Sequence, residues 1–213
     1  MTSPNIYRNP KLARKRAVRA GALFLGLLPF ALLVLRSLID ESSEAGMLSD
    51  LGANPIEEIT HVTGKSALRF LMLSLAVTPL RRFLGWTWLA PERRTFGLFA
   101  FFYATLHFLT YLALDLGFEF SALAEDILER PYITVGFAAL LCLLPLALTS
   151  TKAAIRRLGA RWTRLHKLSY VAAVLAALHF FWLVKADMLP PAIHAGIIAV
   201  LLGSRALPAR RTR

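Results

Sequence analysis

One cysteine, Cys142, stands among 213 residues. A lone thiol closes no intramolecular disulfide and completes no CxxC or zinc spacing, which excludes a cross-linked scaffold and a cysteine-based metal fold. Inside an apolar segment it reads as a packed membrane thiol. Charge is also scarce: 18% of residues are charged and 13 are acidic. No GxGxxG or P-loop stands in a strand-to-helix setting, and there is no internal repeat or low-complexity tract. No clustered Cys, His, Asp and Glu spacing suggests zinc. A cleavage site is missing as well. Lys11, Arg14, Lys15, Arg16 and Arg19 precede an apolar run as in a signal peptide, but no small-x-small site follows, so the run reads as an uncleaved first helix.

What the chain has in abundance is apolar sequence: 56% of residues are hydrophobic and the mean hydropathy is +0.55. Several stretches approach the length of about 20 residues that a helix needs to cross a hydrocarbon core of about 30 Å. The pattern predicts an all-α polytopic membrane bundle with six spans, over 18–38, 65–80, 95–116, 132–148, 165–184 and 191–207. Residues 1–17 and 208–213 are basic tails around an 18–207 membrane domain.

The charges then orient the bundle. The N-terminal tail through Arg19, the loops 81–95 and 149–167, and the C-terminal tail hold 20 of the 25 Lys and Arg residues. The alternate loops hold 12 of the 13 acidic residues, with only Arg130 and Lys185 among the bases. The positive-inside rule therefore predicts that both termini are cytoplasmic. The net charge of +12 is a topology signal and the partner it implies is lipid, not nucleic acid.

Asn54, Pro55, Glu57 and Glu58 form a helix-start signature, which predicts a short surface helix before the second span with Gly64 dividing the two. Phe118, Leu123, Ile127 and Leu128 predict an amphipathic helix in the second outer loop. Pro79 closes the second span and Pro145 bends the fourth. Arg36 and Arg69, near outer ends, either snorkel to the interface or pair with an anionic cofactor group.

Ionisable residues inside a membrane are functional candidates. His107 lies twelve residues past Thr95, and His179 thirteen past His166, which sits at the inner interface. At about 1.5 Å per residue both lie roughly 18–20 Å from the inner face, at one level on two helices running the same way. Imidazole is the usual axial ligand of a b-type haem, so the pair is the leading ligand candidate. Ala100 and Ala104 before His107, and Ala172 and Ala176 before His179, leave room for a porphyrin or permit close helix packing. His166 is about 140° around an ideal helix from His179, so a second haem below the first needs an irregular turn near the helix start. Where an opposite ligand for it is expected, the third span has Arg93 and Arg94. Both are poor iron ligands, but they can clamp propionates, a flavin phosphate or a quinone oxygen, or simply anchor the helix. His61 and His194 read as surface or packing residues.

Four segments, taken in order, carry a resemblance over nearly the whole chain: NPIEEITHVTGKSALRFLMLSLAVTPLRR, RRTFGLFAFFYATLHFLTYLALDL, RPYITVGFAALLCLLPLALTST and RRLGARWTRLHKLSYVAAVLAALHFFWLVK. The chain resembles the MsrQ (YedZ) family, the haem-binding membrane subunits of bacterial periplasmic methionine sulfoxide reductase systems, within the ferric-reductase and NADPH-oxidase membrane superfamily. The resemblance implies an inner-membrane electron-transfer subunit with haem-ligating histidines at His107, His166 and His179. Because Arg93 or Arg94 replaces the inner histidine of the third span, one haem on His107 and His179 is better supported than two. It further implies bound FMN, quinol or a cytoplasmic flavin reductase as donor, and a periplasmic molybdenum-containing partner, MsrP, that performs the sulfoxide chemistry. The acidic outer loops are the expected docking surface. The competing readings are a ferric reductase or oxidase with another acceptor, and a cofactor-free scaffold or transporter.

Overall fold

The computed structural model describes residues 10–42 and 54–207. Most of the N-terminal tail, the centre of the first outer loop and the 208–213 tail lie outside the described residues. Within them the protein is all helix and connecting turn: α1 (Pro10–Ser42), α2 (Pro55–Leu84), α3 (Glu92–Thr110), α4 (Phe120–Glu129), α5 (Pro131–Leu148), α6 (Lys152–Leu158), α7 (Ala160–Leu165), α8 (Leu168–Leu183) and α9 (Leu189–Gly203). Four stretches are long and apolar enough to cross a membrane: Leu12–Ser37, Glu92–Asp115, Pro131–Leu148 and Ala160–Leu183. α2, with 30 residues, reaches about 45 Å, but its charged ends dilute its apolar character. α9 has 15 residues, about 22 Å.

α2 opens as its sequence dictates. The Asn54 side chain accepts from the Glu57 N–H, with Pro55 in the first turn. The expected division at Gly64 does not occur: α2 runs unbroken from Pro55 to Leu84. One glycine costs a helix only about 1 kcal/mol, and Gly64 is used for close approach to α3, as described below. The amphipathic helix of the second outer loop is α4. It is anchored by a hydrogen bond from the Tyr111 hydroxyl to Asp126 and by the Arg130–Asp126 ion pair at 3.0 Å.

Two helix pairs form the centre. α2 packs along α3 and α5 along α8; α3 also meets α5, while α9 covers α8 and α2. The core joins Phe70, Leu71 and Leu75 of α2 to Phe96, Ala100 and Tyr103 of α3 and to Ala172, Ala173 and Ala177 of α8. Phe70 is stacked on Tyr103 with centroids 5.5 Å apart. Ala100 and Ala172 are fully buried in this core, so at these two positions the small residues serve close helix packing. α1 leans on α2 and α3, and many of its apolar side chains are exposed, Phe24 at 70%. A soluble fold would not leave them so; lipid does.

Candidate functional site

The two helix pairs each carry a histidine at the same level of the bundle. The His107 Nδ1–H donates to the Thr60 carbonyl of α2 at 2.9 Å. The His179 Nδ1–H donates to the Tyr132 carbonyl of α5 at 2.7 Å. A carbonyl oxygen can only accept, so Nδ1 carries the proton on each ring and Nε2 is left with its lone pair. The partner also fixes the orientation of the ring and raises the basicity of the free nitrogen, as it does in metal-binding histidines.

Backbone glycines make these contacts accessible. One turn beyond Thr60 stands Gly64, where a Cβ would fall 3.1 Å from the His107 ring. One turn beyond Tyr132 stands Gly136, where it would fall 2.7 Å from His179 Nδ1. The arrangement is a local repeat: each histidine follows its carbonyl partner by 47 residues and its glycine by 43. Reading each helix alone missed Thr60, Gly64, Tyr132 and Gly136. The signal that finds them is the shared offset between TxxxG, YxxxG and the two histidines.

The imidazoles of His107 and His179 are neighbours, with centroids 6.1 Å apart and planes at 74°. Two imidazoles on opposite sides of one metal atom, with metal–nitrogen bonds of about 2.0–2.1 Å and each nitrogen about 1.1 Å from its ring centre, place their centroids about 6.3 Å apart. The observed separation is of that size. Among the described residues no three His, Cys, Asp or Glu side chains form a metal-binding group. The pair therefore offers two ligands and suits a metal that brings the rest of its coordination with it.

The remaining candidates are placed differently. His166 sits in the break between α7 and α8, so the chain does have an irregular turn there. Its Nδ1–H donates locally to the Trp162 carbonyl at 3.1 Å, and its ring is stacked on Trp162 with centroids 3.8 Å apart. No second histidine faces it among the described residues. Arg93 is near enough to act electrostatically on His166, and its carbonyl accepts from the Ser74 hydroxyl at 2.9 Å. Arg94 is exposed and lines a separate groove between α1 and α3. Arg69 is exposed on α2. Arg36 lies 3.8 Å from Glu58, an intramolecular partner for one of the two outer arginines. His61 is exposed, and His194 donates to the Pro190 carbonyl within its own helix at 2.7 Å.

A helical membrane bundle that brings one histidine from each of two helix pairs to a common level defines a class. The model of the ferric reductase like transmembrane component matches residues 63–177, a stretch that contains His107 and His166 and ends just before His179. The relatives narrow it. Two proteins called "Protein-methionine-sulfoxide reductase heme-binding subunit MsrQ" are similar over most of the chain. The protein of Xanthomonas oryzae pv. oryzae (strain MAFF 311018) is 57% identical over 166 residues, 76% of each chain. That of Rhodospirillum rubrum is 54% identical over 165 residues, 77% of this chain and 79% of its own. The chain belongs to the ferric-reductase-like transmembrane family and, within it, to the MsrQ subunits.

Proposed function

We propose that this chain is the membrane electron-transfer subunit of a methionine sulfoxide reductase system and holds one b-type haem between His107 and His179. The observation that carries the reading is the paired geometry: two imidazoles at a 6.1 Å centroid separation, each with Nδ1 committed to a backbone carbonyl of a neighbouring helix. Nε2 of each ring is the ligating atom, and Gly64 and Gly136 give the rings their places. The residues present fit the group, since two neutral imidazoles and an apolar surround are what a bis-histidine haem requires.

A haem bound here supplies a one-electron carrier within the membrane. The protein's own part is to hold both imidazoles neutral and oriented, and to exclude water with the apolar core beneath them. Arg93, at the basic end of α3, and Arg69 on α2 provide cations for propionates or a flavin phosphate, while Arg94 faces the separate groove between α1 and α3. His166, stacked on Trp162, serves such a contact or the quinone, apart from the His107–His179 pair. The donor is quinol or an FMN reduced from the cytoplasmic side, and the acceptor is a periplasmic molybdenum-containing MsrP-like subunit, which carries out the sulfoxide reduction. Six spans, N-in and C-in, in the bacterial inner membrane complete the reading, with α2 and α9 as the two further crossings. α4, which presents Glu125 and Glu129, is the docking surface. Charge reversal at those two positions should slow reduction of the partner while leaving haem content intact.

The test is a reduced-minus-oxidised spectrum of the purified chain with haem quantified per polypeptide. Near one haem per chain is expected, lost in His107→Ala and in His179→Ala and largely kept in His166→Ala. Normal haem content in both of the first two variants would overturn the ligand assignment.

A further inference from the structure

Of the 13 acidic residues, one lies on the side of the chain that carries most of the Lys and Arg. It is Glu92, in the first turn of α3. It is not solvated there: Glu92 is only 4% exposed, and its Oε2 is buried without a hydrogen-bond partner. No salt bridge reaches it among the described residues. A buried carboxylate without a donor is a costly group to keep.

Glu92 lines a groove of about 640 Å³ between α1 and α3. The basic side chains there are Lys15 and Arg19 on α1 and Arg94 on α3. Beside them Arg14 lies over the Trp88 ring at 5.1 Å, tying α1 to the turn before α3. Further along both helices the lining turns apolar, with Leu23, Leu98 and Phe102. The polar residues stand at the beginnings of two membrane-crossing stretches and the apolar ones further in, which is the depth profile of a lipid: head at the interface, chain in the hydrocarbon.

We propose that this groove is a phospholipid site selective for a phosphoethanolamine headgroup. Charge complementarity chooses the class. Lys15, Arg19 and Arg94 match the phosphodiester, the ammonium donates to the buried Glu92 carboxylate, and an acyl chain runs along Leu23 and Leu98. A purely anionic headgroup answers the basic rim and leaves Glu92 without a cation. A quaternary choline supplies charge but no N–H donor. The site goes beyond the haem reading and does not depend on it.

The test uses the full chain, delipidated in detergent and titrated with phosphatidylethanolamine, phosphatidylglycerol or phosphatidylcholine of equal chain length, with bound lipid counted by native mass spectrometry. Wild type is expected to prefer phosphatidylethanolamine by about tenfold, the scale of a charge-assisted hydrogen bond. Glu92→Gln should erase the preference, and Arg19→Gln with Arg94→Gln should weaken all three lipids. Leu98→Trp, which fills the groove, should abolish the tight site. Equal binding of the three lipids by wild type, retained preference in Glu92→Gln, or an undiminished site in Leu98→Trp would each overturn the proposal. So would a short-tailed benzoquinol that displaces the lipid at equal concentration. Haem spectra of the same samples report separately on the His107–His179 assignment, and thermal melts confirm that each variant is folded.

Discussion

At the scale of single residues the site depends on two missing methyl groups. A Cβ at position 136 would sit 2.7 Å from His179 Nδ1, closer than side chains pack, whereas at position 64 the nearest His107 atoms would be 3.1 Å away. The two positions should therefore respond differently to alanine. Each substitution gains about 1 kcal/mol of helix propensity, and overpacking costs about 1–3 kcal/mol. Gly64→Ala should come out near neutral. Gly136→Ala should be net destabilising by about 1–2 kcal/mol and should disturb haem binding, because its Cβ competes with the bond from His179 to Tyr132. Thermal unfolding in detergent with the haem absorbance followed in parallel checks both. An unshifted melt and spectrum in Gly136→Ala would mean that the ring has another way to sit. The histidines were legible in the sequence because depth along a helix is only counting. Their carbonyl partners were not, because a contact 47 residues away depends on which helices are neighbours, and a single sequence states that only through the repeated offset.

At the scale of elements, α1 is held to α3 by one contact that the sequence conceals. Gly26 faces Phe99, whose ring atoms would lie 2.1–2.4 Å from a Cβ at that position, and Phe99 is backed by Phe70 at 5.5 Å. Beside it the Tyr103 hydroxyl donates to the Gly26 carbonyl at 2.6 Å and accepts from the Phe30 N–H at 3.1 Å. A side chain from α3 thus bridges the rung of the α1 ladder that runs past Pro29. Gly26→Ala should push α1 away from α3 and cost about 1–3 kcal/mol, read as a lower melting temperature. Adding Phe99→Leu should recover at least half of the loss, since the two positions share one contact and are not additive. No recovery in the double variant would place the strain elsewhere. Other elements were more readable. The Asn54 cap and the amphipathic pattern of α4 follow from local chemistry. Gly64 misled for the opposite reason: it reads as a breaker by propensity, and tertiary packing makes it a contact point inside a continuous helix. The five-residue π turn Tyr111–Asp115 that ends α3 leaves no signature in hydrophobic periodicity.

At the scale of the whole molecule, orientation decides which side of the membrane each end of the bundle faces. The His107–His179 pair lies toward the acidic connections and the Glu92 groove toward the basic ones, so under the proposed electron transfer an electron entering from the basic side and leaving at α4 would cross the bundle in one direction. The single cysteine makes this measurable. Cys142→Ser leaves a chain with no other thiol, into which one cysteine can be placed at exposed Ala124 of α4 or exposed Ala153 of α6. The one candidate span between them is α5, whose 18 residues reach about 27 Å, close to the hydrocarbon thickness of about 30 Å. In intact inner-membrane spheroplasts a membrane-impermeant maleimide should label Ala124→Cys and leave Ala153→Cys unmodified until the membrane is opened. The reverse pattern would turn the molecule over and put the basic connections outside, against the charge bias. Labelling of both in intact spheroplasts would mean that α5 does not cross, and the electron path drawn from the Lys- and Arg-rich face to α4 would lose its direction.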